Sequence, residues 1–190
     1  KPDVVVLTRF PDVPVHVEFF DSPEQVIEEK LLLAKALKKD GLLVVNHDDP
    51  KTRAVKTHGH QQKLMYGLEI GADMLASDIR VVYSSDGNPT GTNFRIDWRG
   101  KSMPLNLDGV LGESHVYSAL PALTIGAHLG MNVIELGTAL AGHTPTPGRM
   151  RILEGINESI ILDDSYNSSP IAASSGLRTL KNLKVSGRRI

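Results

Sequence analysis

The apolar positions of this chain change their spacing several times, and each change marks a different kind of element. Val4, Val5, Val6 and Leu7 form an unbroken apolar run, the pattern of a strand buried on both faces in a parallel sheet. Ser22-Pro23-Glu24-Gln25 has the form of a helix start, with Ser22 as N-cap, Pro23 in the first helical position and Gln25 closing a capping box. Val26, Ile27, Leu31, Ala34 and Leu37 follow at three- and four-residue spacing. They make one apolar stripe of a helix expected to stop at Asp40-Gly41. Residues 42–45 are again continuously apolar and run into Asn46-His47-Asp48-Asp49-Pro50. Strand, helix, strand in this order predicts a parallel crossover, and the loops after such strands are where α/β sheets place ligands.

The middle of the chain reads differently. Residues 63–66, 73–84, 92–97 and 101–107 are strand-like, joined by turn signals at Asp86-Gly87-Asn88-Pro89 and Arg99-Gly100, so an antiparallel meander is expected beside the parallel strands. Two helical patterns follow, within residues 113–129 and 133–141. Pro121 suggests that the first of them starts near Ser118, which would put the proline in its first turn. Thr144-Pro145-Thr146-Pro147-Gly148 is the best linker candidate, because alternating prolines are stiff and cannot continue a helix. Residues 149–155 and 159–163 suggest a hairpin, and residues 170–183 a helix. Both ends read as cuts through a larger protein.

Composition narrows the function. The 190 residues carry 21 basic and 22 acidic side chains, which implies no general attraction to nucleic acid or an anionic membrane. No apolar run approaches the roughly 20 residues that span a bilayer, so no membrane insertion is expected. With no cysteine, neither a disulfide framework nor a thiolate metal site is available. A cytoplasmic location fits this.

The run Ile160-Ile161-Leu162-Asp163-Asp164-Ser165-Tyr166-Asn167-Ser168-Ser169-Pro170 is the most distinctive. It is a buried strand ending in two carboxylates, a hydroxyl, an aromatic ring and an amide, followed by a helix start. A carboxylate can hold ribose hydroxyls, an aromatic face can pack on a base, and free helix N–H groups suit an anion. A polar turn that merely caps the next helix is the plainer alternative. Gly100-Lys101-Ser102 looks like the tail of a phosphate-binding loop, yet the required glycine five residues earlier is Arg95, so a hairpin turn is expected there. His58-Gly59-His60 lacks a further ligand cluster and reads as a polar loop.

Residues 163–167 with Pro170 resemble the D-D-S-Y-N-A-N-P signature of the Mur ligase family, most closely its D-alanyl-D-alanine-adding class. Pro147-Gly148-Arg149-Met150 is similar to the interdomain P-G-R segment of that family, and Val44-Val45-Asn46-His47-Asp48-Asp49 to its V-L-N-x-D-D strand end. Pro2-Asp3 through Val15-His16-Val17-Glu18-Phe19 resembles its P-D-x-x-V-I-T…A-H-x-E-x-F block. The resemblance implies an α/β fold. Residues 1–147 would be the C-terminal part of a central P-loop-type, parallel-sheet ATPase domain with an antiparallel β meander, and residues 148–190 the beginning of a Rossmann-like C-terminal domain.

The same resemblance implies roles. His16 matches a histidine near the metal and phosphates, and Lys30 the lysine carried as a carbamate that ligates magnesium. Asn46 matches a position at or near adenine, Arg149 a hinge arginine that reaches ATP phosphates, and Asp164 a ribose-binding acid. Tyr166 and Asn167 complete a nucleotide-facing turn. The implied enzyme uses ATP and Mg2+ to join D-alanyl-D-alanine to a UDP-linked muramoyl tripeptide through an acyl phosphate. Sister amide ligases, such as folylpolyglutamate synthases or other Mur enzymes, and a non-catalytic nucleotide-binding or scaffold module, are the alternatives. Four positions depart from the pattern: His115, Ser118 and Arg9 stand where asparagines are usual, and Ser169 replaces the second asparagine of the D-D-S-Y-N-A-N-P run. The chain as it stands has no glycine-rich phosphate cradle, so alone it is expected to be inactive.

Overall fold

The computed structural model describes residues 1–10, 19–143, 146–185 and 187–190. Eight strands and five α-helices lie along them, with four strands in succession in the middle of the chain. Strands β1 (Val4–Leu7), β2 (Leu42–Asn46), β3 (Gln62–Gly67), β4 (Met74–Tyr83), β5 (Pro89–Trp98) and β6 (Lys101–Asp108) neighbour one another in chain order in one sheet. Strands β7 (Arg151–Glu154) and β8 (Ile160–Asp163) form a separate antiparallel ribbon. The chain divides into two compact units, one of residues Lys1–Leu75 with Asp97–Arg99, the other of Ala76–Ile96 with Gly100–Ile190.

In the first unit β1 pairs with β2, β2 with β3, and β3 with the start of β4, all in parallel. Every residue of β2 is buried, as its unbroken apolar run implies for a strand covered on both faces. Helix α1 (Pro23–Ala36) connects β1 to β2. Its stripe packs as expected: Ile27, Leu31 and Ala34 lie against the cluster of Val5, Leu7, Phe10, Leu37, Leu43 and Val45. The Ser22 hydroxyl accepts from the Gln25 N–H at 3.4 Å, while the Gln25 carboxamide oxygen accepts from the N–H of Asp21 rather than of Ser22. The helix ends one turn earlier than the expected stop, and Gly41 instead begins the return to the sheet. A Cβ there would lie 2.9 Å from the Asp3 carbonyl oxygen.

A short helix, α2 (Pro50–Arg53), follows β2 and was not anticipated. Its signal is the Asp-Pro pair, an N-cap followed by a proline in the first turn. Asp49 Oδ1 accepts from the N–H groups of Lys51 at 2.8 Å and Thr52 at 3.2 Å, and its Oδ2 accepts from Phe10 N–H at 2.8 Å. Lys63 closes the other end by donating to the carbonyls of Arg53 and Val55, at 2.6 and 2.7 Å. Burial lowers the pKa of that ammonium.

In the second unit β4, β5 and β6 make the expected meander. Asn93 Nδ2 donates to Leu105 O and Asn106 Oδ1, and Gly109 N–H donates to Thr90 O, so β5 and β6 run antiparallel. They are joined by Arg99-Gly100, both at positive φ (48° and 76°), which suits a two-residue turn matched to strand twist and disposes of the phosphate-loop reading. Helix α3 (Glu113–His128) starts five residues before Ser118, so Pro121 lies in its interior. The proline forgoes one helical hydrogen bond, but it is buried among Val116, Ala119, Leu120 and Leu123, whose apolar burial offsets the loss. Helix α4 (Val133–Ala141) packs against α3 and β6. Gly137 admits that contact, since a Cβ would lie 2.2 Å from a methyl of Leu105. Helix α5 (Pro170–Asn182) follows β8. Leu111, Met150 and Leu183 form a small core here, flanked by Val81, Ile152, Leu162 and Leu180. Among the described residues no helix is long and apolar enough to cross a membrane.

Asp49 supports three backbone N–H groups in the first unit. Asp49→Ala should lower its stability by roughly 2–4 kcal/mol, since a helix cap is lost and a buried donor is left without a partner. Urea unfolding checks this; a midpoint equal to that of the parent chain would show that Asp49 is not a structural clamp.

Candidate nucleotide site

Strand β8 delivers Asp163 and Asp164 to the start of a turn that ends at Ser169, the N-cap of α5, whose hydroxyl accepts from Ala172 N–H at 3.2 Å. The two carboxylates reach back to residues 148–150. Asp163 Oδ2 accepts from Gly148 N–H at 2.9 Å and Asp164 Oδ1 from Met150 N–H at 3.2 Å, while Tyr166 N–H donates to Gly148 O at 3.1 Å. Gly148 and Met150 both have left-handed φ, 73° and 48°. A Cβ on Gly148 would lie 2.7 Å from Tyr166 N, so only glycine fits.

Arg149 sits between these two tied amides. Its guanidinium carbon lies 4.3 Å from the centre of the Tyr166 ring, a cation–π distance. Its carbonyl oxygen is 2.8 Å from His115 Nε2. A cavity of about 340 Å3 opens here, lined by Ser114, His115, Ser118, His143, Arg149 and Asp164 among others. A second of about 210 Å3 adjoins it through His115, Ser118 and His143.

The electrostatics follow from these contacts. The Ser165 hydroxyl at 2.5 Å, with the Gly148 N–H, holds the Asp163 carboxyl below its usual range. Burial pushes the His115 imidazole pKa down, against the opposing pull of the Arg149 carbonyl.

Arg149, Asp164 and Tyr166, singled out in the sequence, are thus brought together. Asn167 is exposed on the same turn. Asn46 ends β2, buried, with its Oδ1 accepting from Asp48 N–H at 2.9 Å. Lys30 is exposed on α1. His16 lies outside the described residues. Sequence reading missed that His115 bonds the Arg149 carbonyl, 34 positions away; its departure from the asparagine pattern was the available signal. It also missed a cluster of His47, Asp48 and Glu69, the one group of three metal-ligating side chains among the described residues, with ligand atoms within 4.8 Å of one another. Both Asp48 oxygens there accept backbone N–H groups, of Leu68 at 2.6 Å and Glu69 at 3.1 Å, so this carboxylate serves as a loop clamp.

The Mur ligase middle domain profile matches residues 1–126. The chain belongs to the Mur ligase family. It is 29% identical over 189 residues to the UDP-N-acetylmuramoyl-L-alanyl-D-glutamate–2,6-diaminopimelate ligase of Chlamydia felis, covering 99% of this chain and 37% of that protein. It is 25% identical over 190 residues to the UDP-N-acetylmuramoyl-tripeptide–D-alanyl-D-alanine ligase of Bacillus subtilis, covering all of this chain and 38% of that one. Among solved structures, the MurF ligase of Thermotoga maritima in complex with ADP superposes with a TM-score of 0.77 at 26% identity, over 95% of this chain and 39% of that one. The chain therefore spans less than two-fifths of the length of these Mur ligases.

The Asp163 clamp has a pH signature. Because its folded pKa lies below the ordinary 3.8, its contribution is fully present above that value and is lost as pH falls through the folded value. Thermal unfolding of Asp163→Asn should therefore show a shallower loss of melting temperature below about pH 4 than the parent chain. Parallel acid profiles would remove Asp163 from the clamp.

Proposed function

We propose that the protein carrying this chain is an ATP-dependent amide ligase of peptidoglycan precursor synthesis, acting in the cytoplasm, that joins D-alanyl-D-alanine to a UDP-linked muramoyl tripeptide. The observation that carries this is the Asp163–Asn167 turn gripping Arg149 beside a cavity, in a Mur ligase chain whose relatives include a D-alanyl-D-alanine ligase and a structure holding ADP. Residues 1–147 would then be the later part of the central ATPase domain and residues 148–190 the opening of the C-terminal domain.

The reaction divides into two displacements. A carboxylate oxygen of the muramoyl peptide attacks the γ-phosphorus of ATP, the bond to ADP breaks, and an acyl phosphate forms. The amine nitrogen then attacks the acyl carbon, phosphate leaves, and the amine proton passes to a base or to water. Arg149, presented on the Tyr166 ring, offers a planar fork of donors to phosphate oxygens as charge develops on them. Asp164 takes ribose hydroxyls, and Tyr166 and Asn167 border the nucleotide. Asn46 supplies an amide for the base. Lys30, carried as its carbamate, would provide hard oxygen ligands suited to magnesium, and His16 is the second residue proposed to serve the metal and phosphates. Magnesium, when bound, neutralises charge on the transferring phosphoryl.

A second reading, that the acceptor is diaminopimelate, is favoured by the Chlamydia felis relative. Phosphate release by the full-length protein, measured with UDP-muramoyl tripeptide and D-alanyl-D-alanine against UDP-muramoyl dipeptide and diaminopimelate, separates the two. Turnover with neither pair would sink both.

Two further outcomes are expected of that enzyme. Lys30→Ala should lose most ligation and regain part of it with high bicarbonate or a short-chain acid; full activity without additive would show that Lys30 carries no metal ligand. Asp164→Ala should mainly raise KM for ATP, whereas Arg149→Ala should mainly lower kcat, by about 100-fold or more. Kinetics like those of the parent for both variants would take them out of the site.

A further inference from the structure

We infer that His115 is a positioning residue for Arg149, gripping the backbone of the arginine through its imidazole Nε2–H. The inference rests on the reading that Arg149 serves the nucleotide phosphates, and it concerns how that side chain is held there.

The argument starts with one peptide group. The carbonyl of Arg149 and the N–H of Met150 belong to the same rigid plane. His115 holds the oxygen at 2.8 Å and Asp164 holds the nitrogen at 3.2 Å. The preceding residue is gripped in the same manner, with Gly148 N–H on Asp163 and Gly148 O on Tyr166 N–H. With the flanking groups fixed, the φ and ψ of Arg149 are fixed too, and so is the direction in which its side chain leaves. That direction puts the guanidinium 4.3 Å from the Tyr166 ring centre. Of these four ties, three come from the Asp163–Tyr166 turn, and His115 alone comes from α3.

His115 can serve because its own base is rigid. It lies in the first turn of α3, its N–H on Gly112 O at 3.3 Å. Gly112 has φ 99°, and a Cβ there would lie 2.9 Å from Thr179 Oγ1 of α5, so the start of α3 sits tightly on α5. A carbonyl can only accept, so the proton of the neutral imidazole is on Nε2 and the Nδ1 lone pair is left over. The depressed imidazole pKa fits a neutral ring in this half-buried place. Arg149, His143 and Asp164 are the charged or titratable groups that share the cavity with it.

The test uses two independent readouts. In the isotope-labelled 190-residue chain, long-range proton–nitrogen spectra should show His115 protonated on Nε2, and the Arg149 Hε resonance should carry an upfield ring-current shift that Tyr166→Leu abolishes. His115→Leu, with no donor, should abolish that shift as well. His115→Gln, whose amide N–H reaches about as far as Nε2, should restore it. In the full-length enzyme His115→Leu should lower kcat by about tenfold or more with little change in KM for ATP, and His115→Gln should recover most of the loss. A proton on Nδ1, or an Arg149 resonance indifferent to His115→Leu, overturns the inference. So does an unchanged kcat in an active enzyme. Absence of ligation by the wild-type enzyme would overturn the ligase reading, while the Arg149 resonance would still decide for or against the grip of His115.

Discussion

The grip on the two peptide groups around Arg149 is the constraint on which the candidate site depends. An arginine side chain has many rotamers, and confining it costs up to about 2 kcal/mol of side-chain entropy. Here the confinement is made by the fold. Two adjacent carboxylates at the end of β8 take the N–H groups on either side of the residue, and the ring of Tyr166 provides a face for the guanidinium. A site assembled before the ligand arrives loses less free energy on binding than one that must order itself. The left-handed φ of Met150, 48°, is the cost of the arrangement, on the order of 1 kcal/mol. Its side chain is buried with Leu111 and Leu183, and that apolar burial holds the residue in place.

Much of the fold was legible because apolar spacing and burial are the same fact seen twice. The continuous runs at residues 4–7 and 42–45 became parallel strands, and Ile27, Leu31 and Ala34 of the expected stripe became the packed side of α1. The misreadings share a cause. Pro121 argued locally for a late helix start, yet the buried face of α3 outweighed one missing hydrogen bond. The Asp49-Pro50 pair was read as the end of a strand, because a helix of four residues has no periodicity to detect.

The candidate site was legible to the extent that its parts are close in sequence. The turn from Asp163 to Asn167 carries its chemistry in consecutive residues. What it grips, the Gly148–Met150 segment, could be named only through the resemblance, since no propensity links a carboxylate to an amide 14 or 15 positions earlier. The His115 contact left only a faint trace in the sequence, its departure from the asparagine pattern, because its partner lies 34 positions away. A histidine in the place of an asparagine reads as a loss until the carbonyl 2.8 Å from its Nε2 is known.

Adjacent identical side chains also show why sequence alone cannot divide labour between them. Asp163 accepts from three donors, the Ser165 N–H and hydroxyl on one oxygen and the Gly148 N–H on the other. Its hydrogen-bonding capacity is largely spent within the chain, and a ligand hydroxyl would have to displace a contact already made. Asp164 accepts from Met150 N–H through Oδ1 alone, and it lines the cavity. Its Oδ2 has no described hydrogen-bond donor, so a pair of ribose hydroxyls would find an acceptor there without breaking the grip on Arg149. Asp163 is thus suited to hold the turn and Asp164 to hold a ligand, a distinction set by which donors the fold brings to each oxygen.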